Sequence, residues 1–507
     1  MLRFLWRRFV AGLATLLVAL FIMYVLVDLA IDPLADLRES TAPNKQQLID
    51  QRTALLQLDT NVVIRFFQWL GNVATGDLGT QWRTGQEVSS LVASAIVSTL
   101  QLVTAATFVA LVLGVVVGIV SALRQYSSFD YIIIFLSFFL YSLPSFFVAV
   151  LLKQWGAIGF NDFLRDPVIG TGVIVVVALL SAGLWSLAVG GSVRRRMQTA
   201  LVAAVATGGL LVYLQVSGWW DRPHIGPVLL ALFGLGTAVA VTGVFAGLQN
   251  RRALLAAIVV AVLGVVLSFP LDAFFRSTDD ESNWMTALVV AAFTAGGAAV
   301  GVAFAGPDKG VSARGGAITG FVVGALIIVD QVMGVWPAYF EFLRGRPIAT
   351  TGDRTPSLGG NYWVGLLDTY THLVLPTIAL ILISFAAYTR YSRASMLEVM
   401  NQDYIRTARA KGLPERLVVV RHGFRNTLIP LATVVPIDII TLIGGAIITE
   451  NIFGRPGMGQ LFVQNLGEAD IEPVMAYIAI TAALAIIANV VADIIYAVVD
   501  PRIRLDA

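Results

Sequence analysis

The chain contains few side chains that could perform covalent or metal chemistry. Its 507 residues include no cysteine, and the three histidines (His224, His372 and His422) lie far apart in sequence. Disulfides, thiolate sites and a histidine metal cluster are therefore not expected. No stretch matches G-x-x-x-x-G-K-[ST], the loop that cradles nucleotide phosphates. We expect a protein that is not an enzyme and that binds no metal or cofactor of its own.

Positive charge is instead concentrated in residues 392–426. Within this segment, 403–411 consists mainly of good helix formers, and Gly412 stands where the C-terminus of a helix favours a positive φ. Pro414 then prevents the helix from continuing. Three small side chains between the basic ones would let a partner surface approach closely: Thr407, Ala408 and Ala410. The segment predicts a short, capped, basic helix, and the alternative is a loop whose charge only anchors the flanking spans.

The composition indicates that membrane-spanning helices hold this segment. Hydrophobic residues make up 57% of the chain and charged residues only 13%, and the mean hydropathy is +0.80. Soluble domains carry about 25% charged residues. The 34 basic and 32 acidic residues nearly cancel, which argues against a nucleic-acid partner. We therefore expect an all-α integral membrane protein in contact with membrane lipid.

Twelve apolar segments are long enough for a helix that crosses a bilayer, which needs about 20 residues. They lie at 10–30, 93–123, 131–152, 168–190, 199–219, 226–248, 253–271, 285–305, 317–336, 372–390, 427–448 and 474–499. The first is longer than the apolar region of a secretory signal, and no small-x-small cleavage site closes it. The sequence thus predicts about twelve transmembrane helices, the first of them an uncleaved anchor.

The positive-inside rule sets the expected orientation. With the N-terminus in the cytoplasm, most basic residues and few acidic residues fall on the inner side. Both termini are then cytoplasmic, in a bacterial cytoplasmic (inner) membrane. Segments 31–92 and 337–371 are expected outside, the second as an irregular loop, and the basic segment 392–426 inside.

Residues 168–336 differ in composition from the rest of the chain, since Ala, Val, Gly and Leu dominate them. Six predicted spans fit inside this block, and an even number returns the chain to the same side of the membrane. The block could therefore be removed without inverting the downstream spans, as expected of an inserted module. We divide the chain into 1–155, an inserted transmembrane module at 156–350, and 351–507.

A few residues inside the predicted spans could serve a pathway or lock helices together. Ionisable groups at membrane depth are costly and usually face a protein interior. Asp330, Asp438 and Asp493 are such groups. We expect Asp330 and Asp493 to make ordinary structural contacts, and for Asp438 a pathway role and a structural contact both remain open. Proline and paired glycines permit bending or close helix packing. These residues are Pro144, Pro436, Gly444 and Gly445.

The segment from Tyr404 to Arg416, followed by Arg421-His-Gly-Phe-Arg-Asn-Thr-Leu-Ile-Pro430, closely resembles the coupling-loop motif of ABC importer permeases. It is most similar to the branch that handles dipeptides, oligopeptides and nickel. The wider superfamily begins this motif with Glu-Ala-Ala, where the present chain has Arg406-Thr407-Ala408. Further stretches resemble the B-type subunit of that branch in the same order: 69–80, 83–88, 142–146, 450–459 and 493–502. The resemblance covers about 1–155 and 355–507.

This resemblance implies a type I permease core of six helices, with six more helices inserted. It implies a second homologous permease subunit, two ABC ATPase subunits that bind ATP and Mg, and an extracytoplasmic substrate-binding protein. The expected contact with an ATPase comprises Asp403, Tyr404, Arg406, Thr407, Ala408, Arg409, Ala410, Lys411, Gly412, Leu413, Pro414 and Glu415. The expected cargo is a di- or oligopeptide. Nickel or another small solute, and a twelve-span secondary transporter, remain the alternatives.

Overall fold

The structure is a computed structural model that describes residues 2–277, 283–304 and 309–499. The described residues are almost entirely helical, with one isolated antiparallel bridge between Thr80 and Glu87. The helices are α1 (Leu2–Ala30), α2 (Ala35–Glu39), α3 (Lys45–Leu55), α4 (Val62–Ala74), α5 (Val88–Leu123), α6 (Ser128–Ser142), α7 (Ser145–Leu151), α8 (Phe160–Arg165), α9 (Thr171–Val189), α10 (Val193–Val216), α11 (Gly226–Phe245), α12 (Arg251–Ser277), α13 (Asn283–Phe304), α14 (Lys309–Gly334), α15 (Trp336–Phe342), α16 (Tyr362–Met400), α17 (Asp403–Ala410), α18 (Glu415–Leu417), α19 (Arg425–Gly445), α20 (Ile447–Phe453), α21 (Met458–Gly467) and α22 (Ile471–Val499). Two π-helical segments, Leu152–Gly159 and Val418–Phe424, join α7 to α8 and α18 to α19.

Ten helical stretches in the described part of the chain are long and apolar enough to cross a membrane, and a bent pair makes eleven. This all-helical, multi-pass architecture confirms the predicted fold class, although the expected number of spans was about twelve. The difference is α19, on which the predicted span 427–448 falls. The burial and contacts of Pro436, Gly444 and Gly445 in α19 lie outside what the structure describes.

The bent pair consists of α6 and the helical stretch from Ser145 to Arg165, which meet at 98°. Pro144 lies at this break. The helix ends there because the proline ring disfavours a helical conformation in the preceding residue. Leu143 is accordingly extended, with φ −75° and ψ 128°. The Ser142 hydroxyl donates to the Phe139 carbonyl at 2.8 Å and so satisfies one acceptor at the end of α6. A kink at Pro144 is what the sequence predicts.

Helices α5 and α16 form the long central pair of the core. With 39 residues, α16 extends about 58 Å at the α-helical rise. Glycines on α5 allow close approach: a Cβ at Gly114 would lie 2.7 Å from Cβ of Tyr388, and one at Gly118 would lie 2.1 Å from Oγ of Ser392. The Ser392 hydroxyl also donates to the Gly114 carbonyl at 3.0 Å. The two helices are therefore in contact at the level of their backbones.

The block 168–336 contains six span-length helices, α9 to α14, as expected. Helices α13 and α14 pack through glycines, since a Cβ at Gly297 would lie 2.2 Å from the Gly316 carbonyl oxygen and one at Gly301 would lie 2.3 Å from the Ser312 carbonyl oxygen. Helices α11 and α12 pack against α14. Helices α9 and α10 form a hairpin in which no residue is buried.

The segment 337–371 is more regular than predicted. Helix α15 covers Trp336–Phe342, and α16 begins at Tyr362, ten residues before the apolar run that predicted its span. The early turns of α16 are stabilised by packing, because Trp363 and Leu367 are buried in one cluster with Tyr339 of α15. Only 343–361 is an irregular connection.

Candidate functional site

The basic segment folds into the short helix that its sequence predicts. Helix α17 covers Asp403–Ala410, and Gly412 comes after it with φ +71°. The Gly412 amide donates to the Arg409 carbonyl at 2.9 Å, which closes the last turn. Glycine adopts this left-handed conformation without the Cβ penalty that other residues meet. The chain therefore reverses immediately after the helix.

One face of α17 packs onto the body of the protein. Ile405 and Ala408 are buried and form a small cluster with Val418, and Met400 and Leu413 pack against it. Ala408 was expected among the residues that face a partner, and this placement is corrected because its methyl group points inward. The helix is thus held by an apolar seat, and Ala408 helps to make that seat.

The opposite face of α17 is exposed. Its residues and those of the following turn form what we call the outer face: Asp403, Tyr404, Arg406, Thr407, Arg409, Ala410, Lys411, Gly412, Pro414 and Glu415. Leu413 is half-buried at its edge. Arg409 donates to Glu415 through two nitrogens, at 3.1 and 2.6 Å. The guanidinium lowers the pKa of the Glu415 carboxyl below its usual range. This ion pair joins the end of α17 to the start of α18.

Two long helices meet at α17. Helix α16 ends at Met400, and two residues separate it from α17. After Pro414, α18 and the π-helical segment Val418–Phe424 run directly into α19. The outer face is therefore connected to both α16 and α19 by short segments of chain.

A buried ion pair fastens the end of α16 near α17. Asp130 at the start of α6 is 1% exposed, and Arg393 donates to its two carboxylate oxygens at 2.7 and 2.9 Å. The Ser121 hydroxyl and the Tyr126 amide also donate to this carboxylate, at 2.5 and 3.0 Å. This pair was not predicted from the sequence. Its one signal was an acidic residue on the predicted inner side, where basic residues dominate.

Residues 114–505 match a protein family described as "Binding-protein-dependent transport system inner membrane component". The chain belongs to this family. The family expected from the coupling-loop motif is thereby confirmed, and a twelve-span secondary transporter is not favoured. Several curated relatives are permease proteins whose names refer to peptide transport.

Three relatives illustrate the similarity. The oligopeptide transport system permease protein AppB of Bacillus subtilis is 47% identical over 139 residues, which cover 27% of this chain and 44% of AppB. The oligopeptide permease protein OppB of Mycobacterium tuberculosis is 38% identical over 185 residues, covering 36% of this chain and 55% of OppB. The dipeptide permease protein DppB of Escherichia coli is 43% identical over 138 residues, covering 27% and 41%. The chain thus spans about half the length of the curated relatives it matches.

A buried hydrogen-bond network, which we call the polar knot, surrounds Glu450 in the stretch 450–459. This stretch carries part of the family resemblance. Glu450 is completely buried and accepts from the Thr99 hydroxyl at 2.7 Å. It also accepts from the amides of Gly459 and Gln460, at 2.7 and 3.2 Å, at the N-terminus of α21. A Cβ at Gly457 would lie 2.3 Å from Cδ of Glu450, so glycine is required there. This knot joins α5, α20 and α21 of the permease.

The intramembrane acids have different surroundings. Asp330 accepts from the amides of Ile225 and Gly226, at 2.6 and 3.2 Å, and so caps α11 in a structural contact. Asp438 is half-buried and interacts electrostatically with Tyr388 of α16. Asp493 lies in α22, and its side chain is outside the described residues. A pathway role for Asp438 stays a prediction.

Proposed function

We propose that this chain is a permease subunit of an ATP-driven, binding-protein-dependent importer, and that the outer face of α17 contacts an ATPase subunit. The observation that carries the proposal is the construction of α17. The helix presents basic and small residues outward, is seated on an apolar cluster, and continues into α16 and α19. A loop that only anchored spans by its charge would need none of these features.

The coupling follows from this geometry as a two-state mechanism. Closure of the ATPase pair would displace α17, and the displacement would move the ends of α16 and α19. The Arg393–Asp130 pair would carry the same movement into α5 and α6. Because the helix contacts differ between the two arrangements, ATP binding can shift the population from an inward-open to an outward-open pathway.

The remaining parts of the system are proposed from the family and its relatives. A second homologous permease would supply the other half of the pathway, and an extracytoplasmic binding protein would deliver the solute. ATP and Mg would be bound by the ATPase subunits rather than by this chain, which would have no catalytic activity. The cargo is a di- or oligopeptide, as the names of the relatives suggest. The chain would lie in a bacterial cytoplasmic membrane with both termini inside.

Substitution of Gly412 tests the coupling role. Gly412→Asp adds a negative charge to the outer face, and a Cβ at this position meets nothing within 4 Å. Gly85→Asp is the matched control, since Gly85 has φ +70°, equally open surroundings, and a place in the segment before α5. We expect Gly412→Asp to abolish ATP-driven peptide uptake and to reduce the ATPase subunits that co-purify, at normal expression. Gly85→Asp should retain both.

Membrane insertion of each variant is measured together with its uptake. If Gly412→Asp inserts normally and transports at the wild-type rate, α17 is not the coupling element. If the control is equally inactive, the loss comes from strain at a left-handed backbone position and not from the contact. Gly412→Asn separates the charge from the backbone effect, because asparagine tolerates this conformation better than most residues.

A further inference from the structure

A cavity of about 550 Å³, lined by both polar and apolar side chains, lies at the end of α16 remote from α17. His372 lines it, about 42 Å along α16 from Met400 at the α-helical rise. Lys153 of the first π-helical segment, Asn161 and Asp162 of α8, and residues of the loop 343–356 complete the wall. Pockets of about 300–1,000 Å³ are the size class that holds small ligands.

The wall of this cavity is built by specific contacts. The Asn161 side chain pairs with the backbone of Ile348 in both directions, at 2.8 and 2.9 Å. The Gly352 amide donates to the Phe453 carbonyl at 2.9 Å. The amide and hydroxyl of Thr355 donate to buried Asp368 at 2.8 and 2.6 Å. The loop is therefore tied to α8, α16 and α20, so the cavity is preformed.

Positive charge predominates in the lining. Lys153, Arg346 and Arg354 all line the cavity, against one carboxylate, Asp162. Asp162 already lies 4.0 Å from Arg165, and Arg354 lies 3.8 Å from Asp353. Among the described residues, neither Lys153 nor Arg346 has a carboxylate within ion-pair distance.

Lys153 has capacity left for a ligand. Its side chain is half-buried, and its Nζ donates to the Ile452 carbonyl at 2.7 Å. An ammonium group has three N–H donors, so this single bond leaves two of them for another acceptor. A π-helical segment, a feature frequently found at functional sites, presents this lysine. Arg346, an exposed residue of the loop that also lines the cavity, offers the planar fork that matches a carboxylate.

We propose that this cavity binds the C-terminal carboxylate of a short peptide, with Lys153 and Arg346 as the binding cations. The inference rests on the proposed function as a peptide permease and adds a chemical criterion for its cargo. A solute with a free carboxylate would be held at the end of the core away from the ATPase contact. Thr350 and Thr351 of the loop supply further polar groups for the peptide backbone, and the volume suits a molecule of two or three residues.

Binding to the purified full-length chain tests the cavity directly. Equilibrium dialysis would compare trialanine with trialanine amide, which lacks the carboxylate. We expect Lys153→Met and Arg346→Gln each to weaken trialanine binding about tenfold or more, as loss of a hydrogen bond to a charged group implies. Binding of the amide should be weak and change less than twofold. Arg344→Gln is the matched control, because Arg344 is an exposed arginine of the same loop that does not line the cavity.

Three results would overturn the inference: no trialanine binding by the wild-type chain, equal losses for the acid and the amide, or an equal loss in Arg344→Gln. Uptake into proteoliposomes with the partner subunits separates this inference from the proposed function. Wild-type uptake without selective losses would overturn the cavity and retain the permease. Carboxylate-selective binding without ATP-driven uptake would support the cavity and contradict the importer.

Discussion

The α5–α16 pair of the core and the α13–α14 pair of the block 168–336 both rely on glycine for close approach, but they are fastened differently. At α13–α14, backbone lies against backbone, with Gly297 opposite Gly316 and Gly301 opposite Ser312. At α5–α16, the same closeness is joined by directional polar contacts, the Ser392 hydrogen bond and the Arg393 ion pair with neighbouring α6.

This difference separates two mechanical roles. Backbone contacts between small residues are short-ranged and have one good arrangement, which suits a fixed support. Hydrogen-bonded and ionic contacts can exchange between two discrete arrangements when a partner pushes on the helix. The polar contacts occur in the core, next to α17, where the proposed coupling requires movement.

The largest expected effect comes from breaking the buried ion pair. Arg393→Met leaves Asp130 buried without its cation, which costs about 3–5 kcal/mol of stability. The denaturation midpoint in detergent should fall, and ATP-driven uptake should fall with it. Arg409→Met is the matched control, since it breaks an exposed pair of α17 worth less than about 1 kcal/mol. Equal stability of the two variants would contradict a special role for the core contact.

A double substitution sharpens this result. Asp130→Asn combined with Arg393→Met removes the buried charge and should recover part of the stability. If uptake stays low after stability recovers, the ion pair transmits movement as well as holding the fold. Recovery of both would assign the pair a purely structural role.

The next effect is expected in the glycine contact. Gly297→Val places a side chain where the Gly316 carbonyl oxygen lies 2.2 Å from the new Cβ, so α13 and α14 must separate. Overpacking of this kind costs about 1–3 kcal/mol. Gly296→Val is the control, because a Cβ there meets nothing within 4 Å. Hydrogen exchange should rise in α13 and α14 for Gly297→Val alone, and unchanged α5 and α16 would show that the block is an independent support.

The smallest effect concerns pH at the start of α22. Burial raises the pKa of Asp470 to about 6, above its ordinary value near 3.8. Protonation therefore favours the folded state, and stability should rise as pH falls through 6 toward 4. Between pH 7 and pH 5 Asp470 contributes about 1 kcal/mol to this gain. The denaturation midpoint in detergent should rise accordingly.

Two variants test whether Asp470 contributes to this pH response. Asp470→Asn should reduce the response by the share that Asp470 contributes, whereas Asp59→Asn, at an exposed position in the segment between α3 and α4, should leave it unchanged. A pH response of unchanged size in Asp470→Asn would locate the titrating group elsewhere.

The sequence predicted features that depend on a residue and its near neighbours. Gly412 and Pro414 end α17 as expected, and Pro144 breaks a span, because glycine and proline restrict the backbone locally. The start of α16 was predicted ten residues too late, since its first turns are stabilised by Tyr339 of α15 and not by an apolar run. Hydropathy indicates which residues contact lipid, and it does not detect packing of this kind between helices.

Contacts between distant segments could not be predicted. Arg393 and Asp130 are 263 residues apart, and nothing in either neighbourhood specifies the other. The cavity of Lys153 and Arg346 likewise depends on how the loop 343–356 folds back onto α8. Ala408 was assigned to the outer face because composition alone does not reveal which side of a short helix is seated.

The hairpin of α9 and α10 has a consequence for the choice of membrane. No residue of α9 is buried, so its 19 residues depend on their surroundings for solvation along their whole length. Their length of about 28 Å is close to the 30 Å or so of the hydrocarbon layer. A helix this short has no excess length to absorb by tilting, and a thicker bilayer must thin around it. The length of the lipid chains therefore directly affects how well this hairpin fits the bilayer.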